Sequence, residues 1–211
     1  MTYISCSRTN TVRIYVNRPT NAQMLPWAHA AVGYLLYAVY SRWRVGRPPV
    51  GLTVYAVGLG TQFPDLIDKP LAWSFAVLPY GRSLGHSLFT LGVLVLVLRV
   101  TFRYLDQKAL SAAFGLGYVS HLFGDGIGAI VSGDFGGLGY LLWPVTDVPS
   151  GDTRSFVEFF LALEPTPLML VGFVLTIVAG VVWVYDGMPG VKDLYAQYRR
   201  DMDDTEPQIG D

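Results

Sequence analysis

One cysteine, Cys6, in 211 residues rules out an intrachain disulfide and any cysteine-rich zinc site. Charge is scarce and balanced: charged residues make up 15% of the chain and the formal net charge is −1, so nothing marks a nucleic-acid footprint. Histidine is rarer still, with three in all, His29, His86 and His121. No internal repeat and no low-complexity tract is present. A cleavable secretory signal is also missing. Residues 1–23 are polar and carry Arg8, Arg13 and Arg18, and the first apolar stretch begins only near Trp27 and contains His29.

What the chain does have is apolar surface. Its hydrophobic content is 52% and its mean hydropathy +0.38, on the membrane side of ordinary globular usage. The length fits one domain. The pattern predicts an all-α fold, a polytopic membrane helical bundle of about four to five spans, because only helices satisfy their own backbone singly in lipid. The first span covers about Pro26 to Trp43, with Pro26 suited to a first helical turn. A second apolar run, Val50 to Phe63, is short for a crossing of about 20 residues. Asp65 and Asp68 follow it, bracketed by Pro64 and Pro70, and Leu71 to Pro79 reads as interfacial or re-entrant. The third span begins near Ser83 with His86 in its first turn, the fourth is Ala109 to Val131, and the fifth is Leu168 to Tyr185. Phe156 to Leu163 reads as an interfacial segment stopped by Glu164-Pro165, and Trp143-Pro144 as an interfacial anchor. Three regions result: an extension over residues 1–23, a membrane-embedded domain over 24–186, and a polar tail over 187–211.

Short loops rich in Lys and Arg stay cytoplasmic. Arg42, Arg44 and Arg47 follow the first span, and Arg99, Arg103 and Lys108 follow the third. Alternation then sends His29, Asp65, Asp68 and His86 to the outer end. His121 and Asp125 lie one turn apart in the fourth span, with Asp125 further out. The three arginines of residues 1–23 oppose this orientation. Translation from Met24, or a disordered and dispensable extension before it, would remove the conflict.

An ionisable pair inside so apolar a segment is a functional-site hypothesis by default. Imidazole nitrogens and carboxylate oxygens together suit a divalent metal, zinc first, with manganese or iron as alternatives. The candidate ligands are His29, Asp65, Asp68, His86, His121 and Asp125. A metal-activated water would make a nucleophile for ester hydrolysis, Asp68 could take its proton, and Arg82 could hold a phosphate by its two-pronged guanidinium. Plainer roles stand beside these: His29 as an interhelical hydrogen-bonding group, Asp65 and Asp68 as loop and cap residues, His86 with Ser87 as a helix start.

Taken in order, His29, Pro64-Asp65-Leu66-Ile67-Asp68, Arg82-Ser83-Leu84-Gly85-His86-Ser87, Ser120-His121-Leu122-Phe123-Gly124-Asp125 and Trp143-Pro144 form a pattern. It resembles the membrane-bound metal-dependent hydrolases of the YdjM type over roughly residues 24–145. The resemblance implies a distant relation to zinc-dependent phospholipase C folds, and hence a helical metal site hydrolysing phosphoesters. Two departures stand out. The family's usual His-Arg-Gly-x-Thr-His-Ser reads Gly81-Arg82-Ser83-Leu84-Gly85-His86-Ser87, one histidine short, and Asp65 and Asp68 are three apart rather than two. Both weigh against a two-ion site and leave room for one.

The leading expectation is therefore a multi-pass cell-membrane hydrolase acting on a phosphoester or lipid at the outer half of the bundle. The rival is a transporter or proton relay built on the same groups. A third reading is an interaction protein whose polar residues only join helices. The bilayer is the expected partner, and nucleic acid is not.

Overall fold

The helices of the computed structural model start and stop where the local chemistry says they should. α1 (Pro26–Val45) opens with proline in its first turn, and its last turn closes on Gly46 in the left-handed region, whose N–H reaches the Arg42 carbonyl. α3 (Leu88–Tyr104) is capped by Ser87, whose side chain accepts from the Phe89 N–H. α6 (Pro167–Tyr185) is capped in the same way by Thr166, with Pro167 opening its first turn. α4 (Lys108–Ser132) ends on Gly133. The structure describes residues 3–6, 12–15, 24–105, 107–146, 155–161 and 165–205.

From Met24 onward the described residues are helical or irregular. Before it, Tyr3–Cys6 (β1) and Val12–Tyr15 (β2) pair antiparallel, Tyr3 opposite Tyr15 and Cys6 opposite Val12. The remainder of the expected extension, Arg8 and Arg18 included, lies outside the described residues, as does Glu164.

α2 (Leu52–Lys69) departs most from expectation. It does not stop at Phe63 but runs through Pro64 to Lys69, carrying Asp65 and Asp68 on helical backbone. A π-helical turn, Pro70–Ser74, follows, and an irregular stretch returns the chain to Ser87. His86 therefore lies just before α3 rather than in its first turn. A 3-10 helix (Phe135–Leu142) follows α4 and leads to the cis bond between Trp143 and Pro144. α5 is short (Phe156–Leu161), and a stretch of the expected polar tail is a helix, α7 (Val191–Thr205).

α2 and α4 form the most extensive pairing, with α1 against both and α6 against α1. The α2–α4 approach is set by glycine on carbonyl. A Cβ on Gly60 would stand 2.2 Å from the Phe114 carbonyl oxygen, and one on Gly117 would stand 2.4 Å from that of Val57. Small residues that let helix backbones touch are the usual packing device where lipid supplies no hydrophobic drive between helices. Outward, α3 and α6 expose Phe89, Val93, Leu96, Val174, Ile177 and Val181. Two helices, α4 and α6, are each long and apolar enough to cross a bilayer, where the sequence pattern suggested four to five. α3 has only 17 residues, and the last turns of α2 carry Asp65, Asp68 and Lys69.

Candidate metal centre

Three helices and one loop bring the histidines and aspartates together near one end of the bundle. α1 contributes His29, α2 contributes Asp65 and Asp68, and α4 contributes His121 and Asp125. The loop before α3 contributes Arg82 and His86. This loop is drawn onto α2 by Asp68, which is wholly buried. One Asp68 oxygen accepts from the Ser83 N–H at 2.6 Å and the His86 N–H at 3.2 Å, and the other accepts from the Gly85 N–H at 2.7 Å. Gly85 is needed for so close an approach, since a Cβ there would stand 2.7 Å from the Pro64 carbonyl oxygen. The Tyr118 hydroxyl closes the other side by donating to the Gly85 carbonyl.

The protons of the two central imidazoles follow from these contacts. His86 Nδ1 lies 2.8 Å from Asp68 Oδ2, and His121 Nδ1 lies 2.6 Å from the Thr61 carbonyl oxygen. A carboxylate and a carbonyl only accept, so both Nδ1 atoms carry hydrogen and both Nε2 atoms hold lone pairs in the neutral rings. Those Nε2 atoms face each other at 3.1 Å. Asp125 Oδ2 lies 3.2 Å from His86 Nε2 and 3.7 Å from His121 Nε2, and Asp65 Oδ1 lies 3.6 and 3.8 Å from the same two atoms. Asp65, His86, His121 and Asp125 thus offer ligand atoms that all lie within 4.8 Å of one another.

Such an array of lone pairs could hold a positive charge at its centre. Metal–nitrogen and metal–oxygen bonds of about 2.0–2.2 Å put tetrahedral ligand atoms roughly 3.3–3.5 Å apart. The five separations above scatter around that edge, so the residues fit one divalent ion. Both His86 and His121 already have the carboxylate or carbonyl partner on Nδ1 that metal-binding imidazoles use. Without a metal, a proton supplies the charge. Burial disfavours the His86 imidazolium most strongly, yet its hydrogen bonds to Asp125 and Asp68 outweigh burial and hold the group up at about 9.

The other expected residues surround this centre. Asp68, expected as ligand and proton acceptor, has both oxygens taken by backbone N–H groups and His86, and so stands behind the histidine. Arg82 Nε donates to Asp125 Oδ2 at 2.8 Å, and 31% of the Arg82 side chain is accessible. Lys69 pairs with Asp65 one turn away. His29 is buried and stacks on His121 with ring centroids 4.0 Å apart. Its Nε2 is 3.3 Å from Asp125 Oδ1, near enough for an ion pair but not aligned as a hydrogen bond, and neither ring nitrogen has a hydrogen-bond partner. His29 therefore touches the outer oxygen of a ligand rather than joining the four. Thr61, whose carbonyl fixes His121, was not expected at all. Thr61, Asp65 and Asp68 fall four and three residues apart, one face of a helix, and a loop reading between Pro64 and Pro70 conceals that alignment.

A largely helical chain with exposed apolar faces, two bilayer-length helices and a buried His/Asp group that could hold a metal ion is a membrane protein with a candidate metal centre. More narrowly, it belongs to the YdjM inner membrane protein family, whose sequence model matches residues 24–190. The match begins at Met24 and runs through α6 into the turn before α7. No curated protein and no solved structure matches the chain. The family name supplies a location and no reaction.

Proposed function

We propose that this protein is a metal-dependent hydrolase of the membrane, acting on a phosphoester at the end of the bundle that holds His86 and His121. The observation that carries this reading is the convergence of two imidazole lone pairs and two carboxylate oxygens at tetrahedral spacing. Asp65, His86, His121 and Asp125 would hold the ion. An ion held there would need an open position beyond these four ligands for a water, whose pKa it would lower while drawing charge from a phosphoryl oxygen. Arg82 keeps one N–H on Asp125 and has further donors, in a planar fork suited to phosphate. Asp68 and the Thr61 carbonyl fix the imidazole orientations so that little is reorganised on binding.

In this reading α1, α2, α3, α4 and α6 all cross the membrane, which gives five spans. α1 has 20 residues and so a length of about 30 Å, the thickness of the hydrocarbon core. Elemental analysis of protein purified from metal-replete cells tests the centre, with about one equivalent of zinc, manganese or iron expected. Hydrolysis of a chromogenic phosphodiester, abolished by chelator and restored by that metal, tests the reaction. Stoichiometric metal without turnover of any phosphoester would reject the hydrolase and keep the centre.

A further inference from the structure

Beside the loop that carries His86 lies a groove of about 330 Å³, within the size range of small-molecule sites. Leu84 and Ser87 form its head, Phe89 and Val93 on α3 one wall, and Trp143 and Pro144 the other. Its head belongs to that loop, on which Leu84 and Ser87 lie with His86. The groove keeps its shape through a long-range contact, Ser87 Oγ donating to the Trp143 carbonyl at 2.7 Å. Its α3 wall then descends among exposed apolar side chains. Phe89 and Val93 are 53% and 62% accessible, and Leu96, Val97 and Val100 continue the same exposed surface.

We propose that this groove seats one acyl chain of a membrane lipid that enters sideways from the bilayer, with its phosphoester headgroup reaching the His/Asp centre. The seat itself rests on the groove; the headgroup's fate rests on the hydrolase reading above. Three features select a lipid chain over a soluble ligand. The lining is apolar apart from Ser87 and Thr90 at the upper end. The open side continues into the exposed face of a helix in a membrane-family protein, so lipid already lies against it. Along the chain the lining also becomes more polar from Val93 to Thr90 and Ser87, next to His86, in the order of an amphiphile's own tail and head.

The test uses the full chain in detergent with about one phosphatidylglycerol per protein, carrying a diazirine in one acyl chain. Photolysis followed by peptide mass spectrometry should concentrate adducts on Phe89, Val93 and Trp143 rather than on Val174 and Ile177 of the outward face of α6. Val93→Trp fills the groove from a lipid-exposed position and should lower groove adducts by about tenfold, the lower end of what a blocked apolar pocket costs. Labelling of α6 should not change. Leu84→Trp, at the other end, provides a second variant with the same expected loss. Adducts spread evenly over α3 and α6, or groove labelling indifferent to both tryptophans, would overturn the assignment. Groove labelling in a protein that hydrolyses no phosphoester would uphold the lipid seat and reject the hydrolase.

Discussion

Replacing Asp68 by asparagine distinguishes a residue that orients a ligand from one that is a ligand. Asp68 accepts four hydrogen bonds, from the Ser83, Gly85 and His86 N–H groups and from His86 Nδ1. An amide has one oxygen. Placed where Oδ2 was, that oxygen keeps three donors and turns its NH2 against the Gly85 N–H, a donor facing a donor where 2.7 Å now separates the bonded atoms. The other orientation sets the NH2 against three donors and is worse. The least cost is thus one buried N–H without a partner and the loss of a charge-assisted bond to His86, about 1–3 kcal/mol. Loss of such a partner behind a metal-bound imidazole typically costs about 10–100-fold in metal affinity, or about 1.4–2.8 kcal/mol. The first figure is a folding cost, present with or without metal; the second is the loss that metal binding reads. Zinc titration by calorimetry should therefore show Asp68→Asn binding one equivalent with affinity lowered about 10- to 100-fold, and thermal unfolding in chelator would check that the fold survives. Unchanged affinity would refute the orienting role. Loss of the equivalent at saturating zinc, with the fold intact, would make Asp68 a ligand after all.

Asp125→Asn removes a central oxygen's charge and the partner of Arg82, so purified protein should retain markedly less metal than wild type by elemental analysis; equal content would exclude Asp125 as a ligand. Gly60→Ala forces a methyl to within 2.2 Å of the Phe114 carbonyl oxygen and should destabilise by about 1–3 kcal/mol in thermal unfolding, as overpacking does. Gly58→Ala, with nothing within 4 Å, should be neutral or stabilising, and equal effects of the two would discount the α2–α4 contact. Because His86 is held up at about 9, below that pH metal must displace a proton from it, so apparent zinc affinity should rise with pH by up to about tenfold per unit and level off above. A flat profile between neutrality and pH 9 would refute a proton on His86 that metal has to displace in that range.

The sequence pattern located α1, α4 and α6 to within a few residues because each is a long apolar run with a proline or glycine at a boundary. Charge bias and motif position together sent His29, Asp65, Asp68 and His86 to the outer end, with His121 near the middle of its span and Asp125 one turn further out. Four features escaped the pattern for physical reasons. The apolar run ends at Phe63 and two prolines bracket Asp65 and Asp68, which suggests a loop, but α2 carries Pro64 buried and continues, and so puts Thr61, Asp65 and Asp68 on one face. The partner of His121 is a backbone carbonyl, which every residue has and no side-chain pattern marks. The role of Asp68 depends on a loop folding back over it, and two acids three apart look equally like two ligands. α7 was missed because its apolar residues Val191, Leu194, Tyr195, Tyr198 and Met202 are spread thinly among charges, although their spacing follows one helical face.

The same placement weighs on the choice between a hydrolase and a transporter. A proton or ion relay needs groups that bind and release its cargo at steps across the bilayer. From the centre toward the basic clusters, residues 30–41 of α1, 52–64 of α2, 88–98 of α3 and 109–120 of α4 contain no Asp, Glu, Lys, Arg or His. At 1.5 Å per residue the narrowest of these gaps is roughly 16 Å deep. Charged side chains return toward its far end, where Arg42 pairs with Asp186, a carboxylate that also accepts from the hydroxyl of Tyr34 within the α1 stretch. Nor is the belt loosely filled. Gly60 and Gly117 press the α2 and α4 backbones together at its middle, and Phe63, Phe114 and Tyr118 pack ring on ring beside them. Water or an ion crossing here would have to separate helices in backbone contact and would find no charged partner on the way. A centre backed on this side by close helix packing without charged side chains suits chemistry on a substrate that arrives and leaves from the other side, as the proposed hydrolase would require and a transporter would not.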